Sequence, residues 1–167
     1  VAATIDELVT INGATAGTIT LNSQTIAANF SDTAVKLAAA FSGITSHTGT
    51  IAITGTDPTI TQLNNIAGAT SGVVTASIGG TATNLATLTT AATDAITITM
   101  SNGVAATIDE LVTINGATAG TVTLNAQTIS ANFSDTAVKL AAAFNGITTH
   151  TGNLTLSNGV AATIDEL

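Results

Sequence analysis

The sequence predicts an α/β fold, a repetitive right-handed β-α solenoid with parallel strands, and three observations predict it. One stretch, Thr107 to Thr123, recurs from Thr4 to Thr20 with only Ile19 in place of Val122, recurs more loosely from Thr59 to Thr75, and starts again at Thr163. Each copy opens on a helix signal and closes on a strand signal. The remainder of each unit again alternates helical and strand patterns, and short helices between strands imply parallel strands with helices packed on the sheet. The alternative architecture is a string of small α+β modules.

The four starts, Thr4, Thr59, Thr107 and Thr163, lie 55, 48 and 56 residues apart. Periods of about 20 to 50 residues mark solenoids or module arrays. The units are therefore 1–58, 59–106 and 107–162, with 163–167 as the start of another. Val104 to Gly152 repeats Val1 to Gly49 with five substitutions: Ile19/Val122, Ser23/Ala126, Ala27/Ser130, Ser42/Asn145 and Ser46/Thr149. The sequence begins and ends inside a unit and reads as a window in a longer array.

Taken in order, the first unit opens with Thr4 and Glu7 as a capping box, in which each side chain satisfies a backbone amide that the first helical turn leaves unpaired. The same box is written at Thr59/Gln62, Thr107/Glu110 and Thr163/Glu166. Ile108, Leu111 and Val112 then share one helical stripe. Asn115-Gly116 offers the left-handed conformation at which a helix stops. Past Gly120 the period changes to two, placing Val122 and Leu124 on one face and Thr121 and Thr123 on the other. In the first unit this predicts a strand from Thr18 to Leu21, a tight turn at Asn22-Ser23 and a second strand from Gln24 to Ala27, forming a hairpin. A second helix follows, capped by Ser31 or Asp32, with Ala34, Leu37, Ala38 and Phe41 on its buried stripe and Gly43 beyond its end. Asp32 and Lys36 form an i, i+4 pair. Strand Thr50 to Thr54 closes the unit with Ile51 and Ile53 inward.

In the second unit Asp57-Pro58 supplies a capping carboxylate beside a residue suited to the first helical position. Ile60, Leu63 and Ile66 make the helical stripe. Strand Val73 to Ile78 turns at Gly79-Gly80 into helix Ala82 to Thr89, without the hairpin, and strand Ala95 to Met100 leads to the third unit. The strand register buries Ile19, Leu21, Ile96, Ile98, Val122 and Leu124. It turns Thr18, Thr20, Thr97, Thr99, Thr121 and Thr123 outward.

Composition narrows the function classes. The net charge is -8 and the cations are Lys36 and Lys139 alone, so clustered basic side chains for neutralising phosphates are missing and no nucleic-acid partner is expected. No apolar run approaches the roughly 20 residues of a membrane span. The chain has no Cys, hence no disulfide or thiolate metal site. Its apolar content comes from Ala, Ile, Leu and Val with four Phe and neither Trp nor Tyr, which predicts a thin core of small side chains.

No catalytic, cofactor-binding or metal-binding residue is assigned, and no cofactor is expected. His47 and His150 occupy equivalent places before Thr-Gly with no Cys, Asp or Glu at ligand spacing, and read as surface or turn residues. Asp6-Glu7 and Asp109-Glu110 are adjacent on a helix and do not face one another, so they read as capping and solubilising groups. The glycine- and aspartate-rich calcium nonapeptide is missing, as are phosphate loops and nucleophile elbows. The Thr-x-Thr pairs suit exposed strand positions. They also suggest a glycan- or ice-binding face.

Gly120 to Ser130, followed by Ser134 to Phe144 and Thr151 to Leu156, resembles modules of flagellar hook-associated and other bacterial filament proteins. Ala69 to Ala76, with Thr81 to Leu88 and Asp94 to Met100, resembles repeats of very large secreted bacterial surface and adhesin-like proteins, many of them cyanobacterial. The resemblance implies a non-catalytic structural role outside the cell or at its surface, with self-association or continuation of the array, and contact with a glycan or cell surface. It carries no site residue with it.

Overall fold

The computed structural model describes residues 1–157. In chain order the elements are α1 (Ile5–Ala14), α2 (Ser23–Ile26), β1 (Phe30–Thr33), α3 (Ala34–Ala40), β2 (Ile51–Thr54), α4 (Ile60–Ala69), β3 (Val74–Gly80), α5 (Ala82–Leu85), β4 (Ala95–Met100), α6 (Ile108–Gly116), β5 (Val122–Thr123), α7 (Ala126–Ser130), β6 (Phe133–Asp135), α8 (Ala137–Phe144) and β7 (Leu154–Leu156). The fold is mixed α/β. Strands β1 to β5 form one open parallel sheet in sequential order, and β6 pairs with β7 in a second parallel pair. Parallel neighbours cannot be joined by a tight turn, so each connection is a crossover. Every crossover within these sheets carries a helix.

Six of the helices start on the same device. Thr4, Thr33, Thr59, Thr81, Thr107 and Thr136 are N-caps whose side chains accept from the backbone amide three residues on. Such a cap stabilises a helix by about 1 kcal/mol. Successive caps lie 29, 26, 22, 26 and 29 residues apart, so each sequence unit of about fifty residues carries two Thr-capped helices, and in the second unit both are crossovers. The full capping boxes at Thr4/Glu7, Thr59/Gln62 and Thr107/Glu110 are formed. The box expected at Thr163/Glu166 lies outside the described residues.

One continuous core runs beneath the sheet. Ile51, Val74, Ile78, Ile96 and Ile98 from the strands pack with Leu37, Leu63, Ile66, Leu85, Leu111 and Ile114 from the helices, all essentially buried. Full burial of each such side chain contributes about 1.5–3 kcal/mol. The expected strand register holds: Thr18, Thr20, Thr97, Thr99, Thr121 and Thr123 are exposed, Leu21, Ile96, Ile98 and Leu124 are buried, and Ile19 and Val122 are half-buried.

Several local expectations are corrected. The hairpin does not form, because Gln24 to Ile26 belong to the one-turn helix α2, and Thr18 to Leu21 has no ladder partners among the described residues. The Asn22 side chain accepts from Thr25 N at 2.8 Å, and the buried Thr25 hydroxyl accepts from Ala3 N at 2.9 Å. A cap plus a long-range bond thus holds the turn as helix. Neither Ser31 nor Asp32 caps α3; both lie in β1, and Thr33 is the cap. Likewise Thr59, not Asp57, caps α4, with Pro58 outside the helix. Gly79-Gly80 belongs to β3 rather than to a turn, and α5 ends at Leu85, not Thr89. Gly116 lies in α6 and Gly13 in α1, neither with positive φ, so Asn-Gly does not act as a left-handed stop there. Gly43 does have φ +73° just past α3, as its place beyond the helix end predicts.

Candidate functional site

Two surfaces could do something beyond holding the core together. The first is the outer face of the parallel sheet. Because side chains alternate along a strand, burying Val74, Ala76 and Ile78 turns Thr75 and Ser77 outward, and burying Ile96 and Ile98 does the same for Thr97 and Thr99. Register then lines the hydroxyls across strands, pairing Thr33 with Thr54, Ser77 with Thr97, and Thr99 with Thr123. Neighbouring strands are about 4.8 Å apart, so the face carries uncharged hydroxyls and methyls at a regular spacing.

The second is the contact between successive crossovers, built on a recurring Thr-x-Gly. Thr118 Oγ1 donates to Ile96 O at 2.7 Å and accepts from Ile96 N at 2.9 Å and Gly120 N at 2.7 Å, while Ala119 N donates to Asp94 O at 2.7 Å. Two crossovers earlier, Thr70 Oγ1 donates to Gly49 O at 2.8 Å and accepts from Gly72 N at 2.9 Å, while Ser71 N donates to His47 O at 3.0 Å. A Cβ at Gly72 would collide with the backbone of Gly49, and one at Gly120 with the backbone of Ile96. Glycine lets the two backbones touch. The motif is visible in the sequence as Thr15-Ala-Gly17, Thr70-Ser-Gly72 and Thr118-Ala-Gly120. Its meaning is invisible there, because the carbonyls it grips lie 21 to 22 residues away.

The histidines depart from the expected surface positions. His47 is 1% exposed and stacks between Phe30 and Phe41, at ring-centroid distances of 5.3 and 5.0 Å. Neither ring nitrogen has a hydrogen-bond partner among the described residues. Burial holds its imidazole below the usual histidine range, with the backbone of Thr25 and Ile26 acting the other way. His150, in the equivalent cluster with Phe133 and Phe144, is half-buried and sets Nε2 3.0 Å from Ala131 O. The difference is the neighbour: Ala69 to Ser71 runs alongside His47.

The lysines also do more than their i, i+4 spacing suggests. Lys36 Nζ is 3.9 Å from Asp32 but 2.7 Å from Asp6, and Lys139 Nζ is 3.9 Å from Asp135 but 2.7 Å from Asp109. Each ties α3 to α1, or α8 to α6. Both lysines lie at the surface, where solvent screens the charges, so each pair adds little to stability. Glu7 and Glu110 turn back to the amides of Thr4 and Thr107, which hold both carboxyls below their usual range. Glu110 additionally accepts from Thr83 Oγ1 at 2.8 Å, across a crossover boundary. Asp94 is buried, a position composition alone does not reveal, and its carboxylate accepts from Val74 N and Ala91 N at 2.7 and 2.8 Å. No three His, Cys, Asp or Glu side chains gather for a metal ion among the described residues. No helix of the described residues is long and apolar enough to cross a membrane.

No protein-family model, curated protein or solved structure matches the chain.

Proposed function

We propose that this chain is a structural repeat segment of an extracellular bacterial filament, surface layer or adhesin stalk, a right-handed β-α solenoid that assembles by stacking of repeats and performs no catalysis. The observation that carries this reading is the Thr-x-Gly contact, made twice, each time with the Thr hydroxyl and the next residue's amide donating to carbonyls of the preceding crossover. A contact that recurs in phase can be extended indefinitely, and repeat proteins stay soluble only when terminal units carry polar caps. Right-handed crossovers are the general rule for parallel strands. Electron microscopy of the source material tests the reading: periodic fibres or a surface lattice that bind antibody to this chain support it. Labelling confined to soluble, monomeric protein sinks it.

The ordered hydroxyl face supports a second reading, a glycan- or ice-binding module, because Ser77/Thr97 and Thr99/Thr123 are directly paired. Glycan arrays and ice-recrystallisation assays on the wild type and on Thr97→Lys decide it. Binding abolished by that exposed substitution favours this module over a purely structural role.

A further inference from the structure

We infer that the chain associates head to tail with a second copy of itself, the Thr15-Ala16-Gly17 loop and Ile19-Thr20 segment of one copy seating on the open β7 edge and the His150–Gly152 backbone of the other. This rests on the stacking reading above and specifies its register.

The acceptor is a surface that the same chain covers elsewhere. Gly152, Leu154 and Leu156 are the counterparts of Gly49, Ile51 and Ile53 in the near-identical first unit. There, β3 lies against β2 with Ile51 opposite Val74, and Ile51 is wholly buried. Leu154 and Leu156, by contrast, are 47% and 51% exposed, and β7 is paired on one side alone among the described residues. An unpaired edge of this kind is a template for another strand. Backbone groups repeat the pattern: His47 O and Gly49 O accept from Ser71 N and Thr70 Oγ1. The matching oxygens on the acceptor are those of His150 and Gly152.

The donor is equally specific. Thr15-Ala-Gly17 has the sequence of Thr118-Ala-Gly120, and Ile19-Thr20 stands for Val122-Thr123. Thr15 is already arranged for the contact, since its hydroxyl accepts from Gly17 N at 2.9 Å as Thr118 does from Gly120 N. It differs in gripping no preceding carbonyl and in being exposed. Gly17 retains the glycine, although a Cβ there would meet only the Thr15 hydroxyl, at 3.2 Å. Where a Cβ at Gly72 or Gly120 meets fixed backbone, one at Gly17 meets a single side-chain oxygen.

The two in-chain contacts give one register. Thr70 precedes Val74 by four residues, and Val74 faces Ile51; Thr118 precedes Val122 by four, and Val122 faces Ile98. Thr15 precedes Ile19 by four. Both templates therefore place Ile19 opposite Leu154 and Thr20 opposite Thr155, with Thr15 Oγ1 on Gly152 O and Ala16 N on His150 O. The groove beside α1, lined by Val1, Ala2, Thr4, Glu7 and Ile11, then receives the acceptor's α8. In the chain itself α4 packs on α3, the counterpart of α8, in the same way. Val160 to Leu167 repeats Val1 to Leu8 residue for residue. A contact of this kind does not close on itself, and it produces a filament.

The test uses the full 167-residue chain. Sedimentation velocity over a wide concentration range is combined with oxidation of mixed single-cysteine variants, Thr20→Cys with Thr155→Cys, in a protein that has no cysteine of its own. Strand neighbours in register are within disulfide reach. The expected result is concentration-dependent oligomers, a Thr20→Cys/Thr155→Cys dimer formed in high yield, and a fall of at least tenfold in association for Gly17→Ala at an unchanged melting curve. Oligomers that ignore Gly17→Ala and yield no such crosslink overturn this register and leave the stacking reading standing. A monodisperse monomer at all concentrations overturns both.

Discussion

Thr118 and Ile96 clasp two successive crossovers, the Thr118 hydroxyl donating to the Ile96 carbonyl at 2.7 Å while accepting from the Ile96 amide at 2.9 Å. Both residues are buried. Burial makes the arrangement consequential, because a buried backbone group without a partner costs about 1–3 kcal/mol.

Replacing Thr118 by Val keeps the shape and strips the hydroxyl, leaving the Ile96 amide and carbonyl without that partner. We expect urea denaturation to show a loss of about 2–4 kcal/mol. Thr15→Val, at the exposed equivalent position, is expected to stay within about 0.5 kcal/mol of wild type. Equal effects would show that the clasp is not the source of the difference.

Gly120→Ala drives a Cβ into the Ile96 backbone and forces the β4–β5 contact apart. The expected cost is about 2 kcal/mol or more, on the scale of overpacked cores. Gly72→Ala, which meets the Gly49 backbone, behaves alike. Thermal melts of the two variants beside wild type measure this directly.

His47 gives the fold a pH dependence. Its imidazole is held below the reference value of 6.5 by burial, so the unfolded chain binds the proton more readily. Stability from this group is therefore fully present above about pH 6.5 and is lost as pH falls through the lower folded value. His47→Phe removes both the titration and two unpartnered buried nitrogens. Its denaturation midpoint is expected to rise slightly and to flatten between pH 7 and 5, whereas a variant as acid-sensitive as wild type would place the dependence elsewhere.

The capping carboxylates act in a lower window. Glu7 and Glu110 are held below the reference value of 4.5 chiefly by the amides of Thr4 and Thr107. Their contribution is present above that value and disappears as pH drops through the folded ones. The Thr59/Gln62 box makes the same bonds without a charge. Glu110→Gln is accordingly expected to keep the helix at neutral pH and to lessen the loss of stability below about pH 4.5, read by circular dichroism.

Much of this was legible residue by residue. The Thr caps and the Thr-out, Ile-in register of β4 are local, set by hydrogen bonds spanning three residues and by alternation along a strand. The hairpin fails where the local signal is ambiguous. Asn22-Ser23 suits a turn, but Asn22 and Thr25 also spell a helix cap, and the pattern in Asn125 and Thr128 is the same. The deciding bond comes from Ala3, 22 residues away.

The sequence by itself determined the repeat, the composition of the two sheet faces and the helix starts written as Thr/Glu or Thr/Gln boxes at Thr4, Thr59 and Thr107, because each depends on neighbours within a turn or a strand. Only the tertiary structure decided that the second sequence unit makes two crossovers, that His47 is buried while His150 is half-covered, and that Lys36 reaches Asp6 in preference to Asp32. Those outcomes depend on which backbone lies alongside. Identical residues find different surroundings when one copy has a following crossover packed on it and the other, among the described residues, does not.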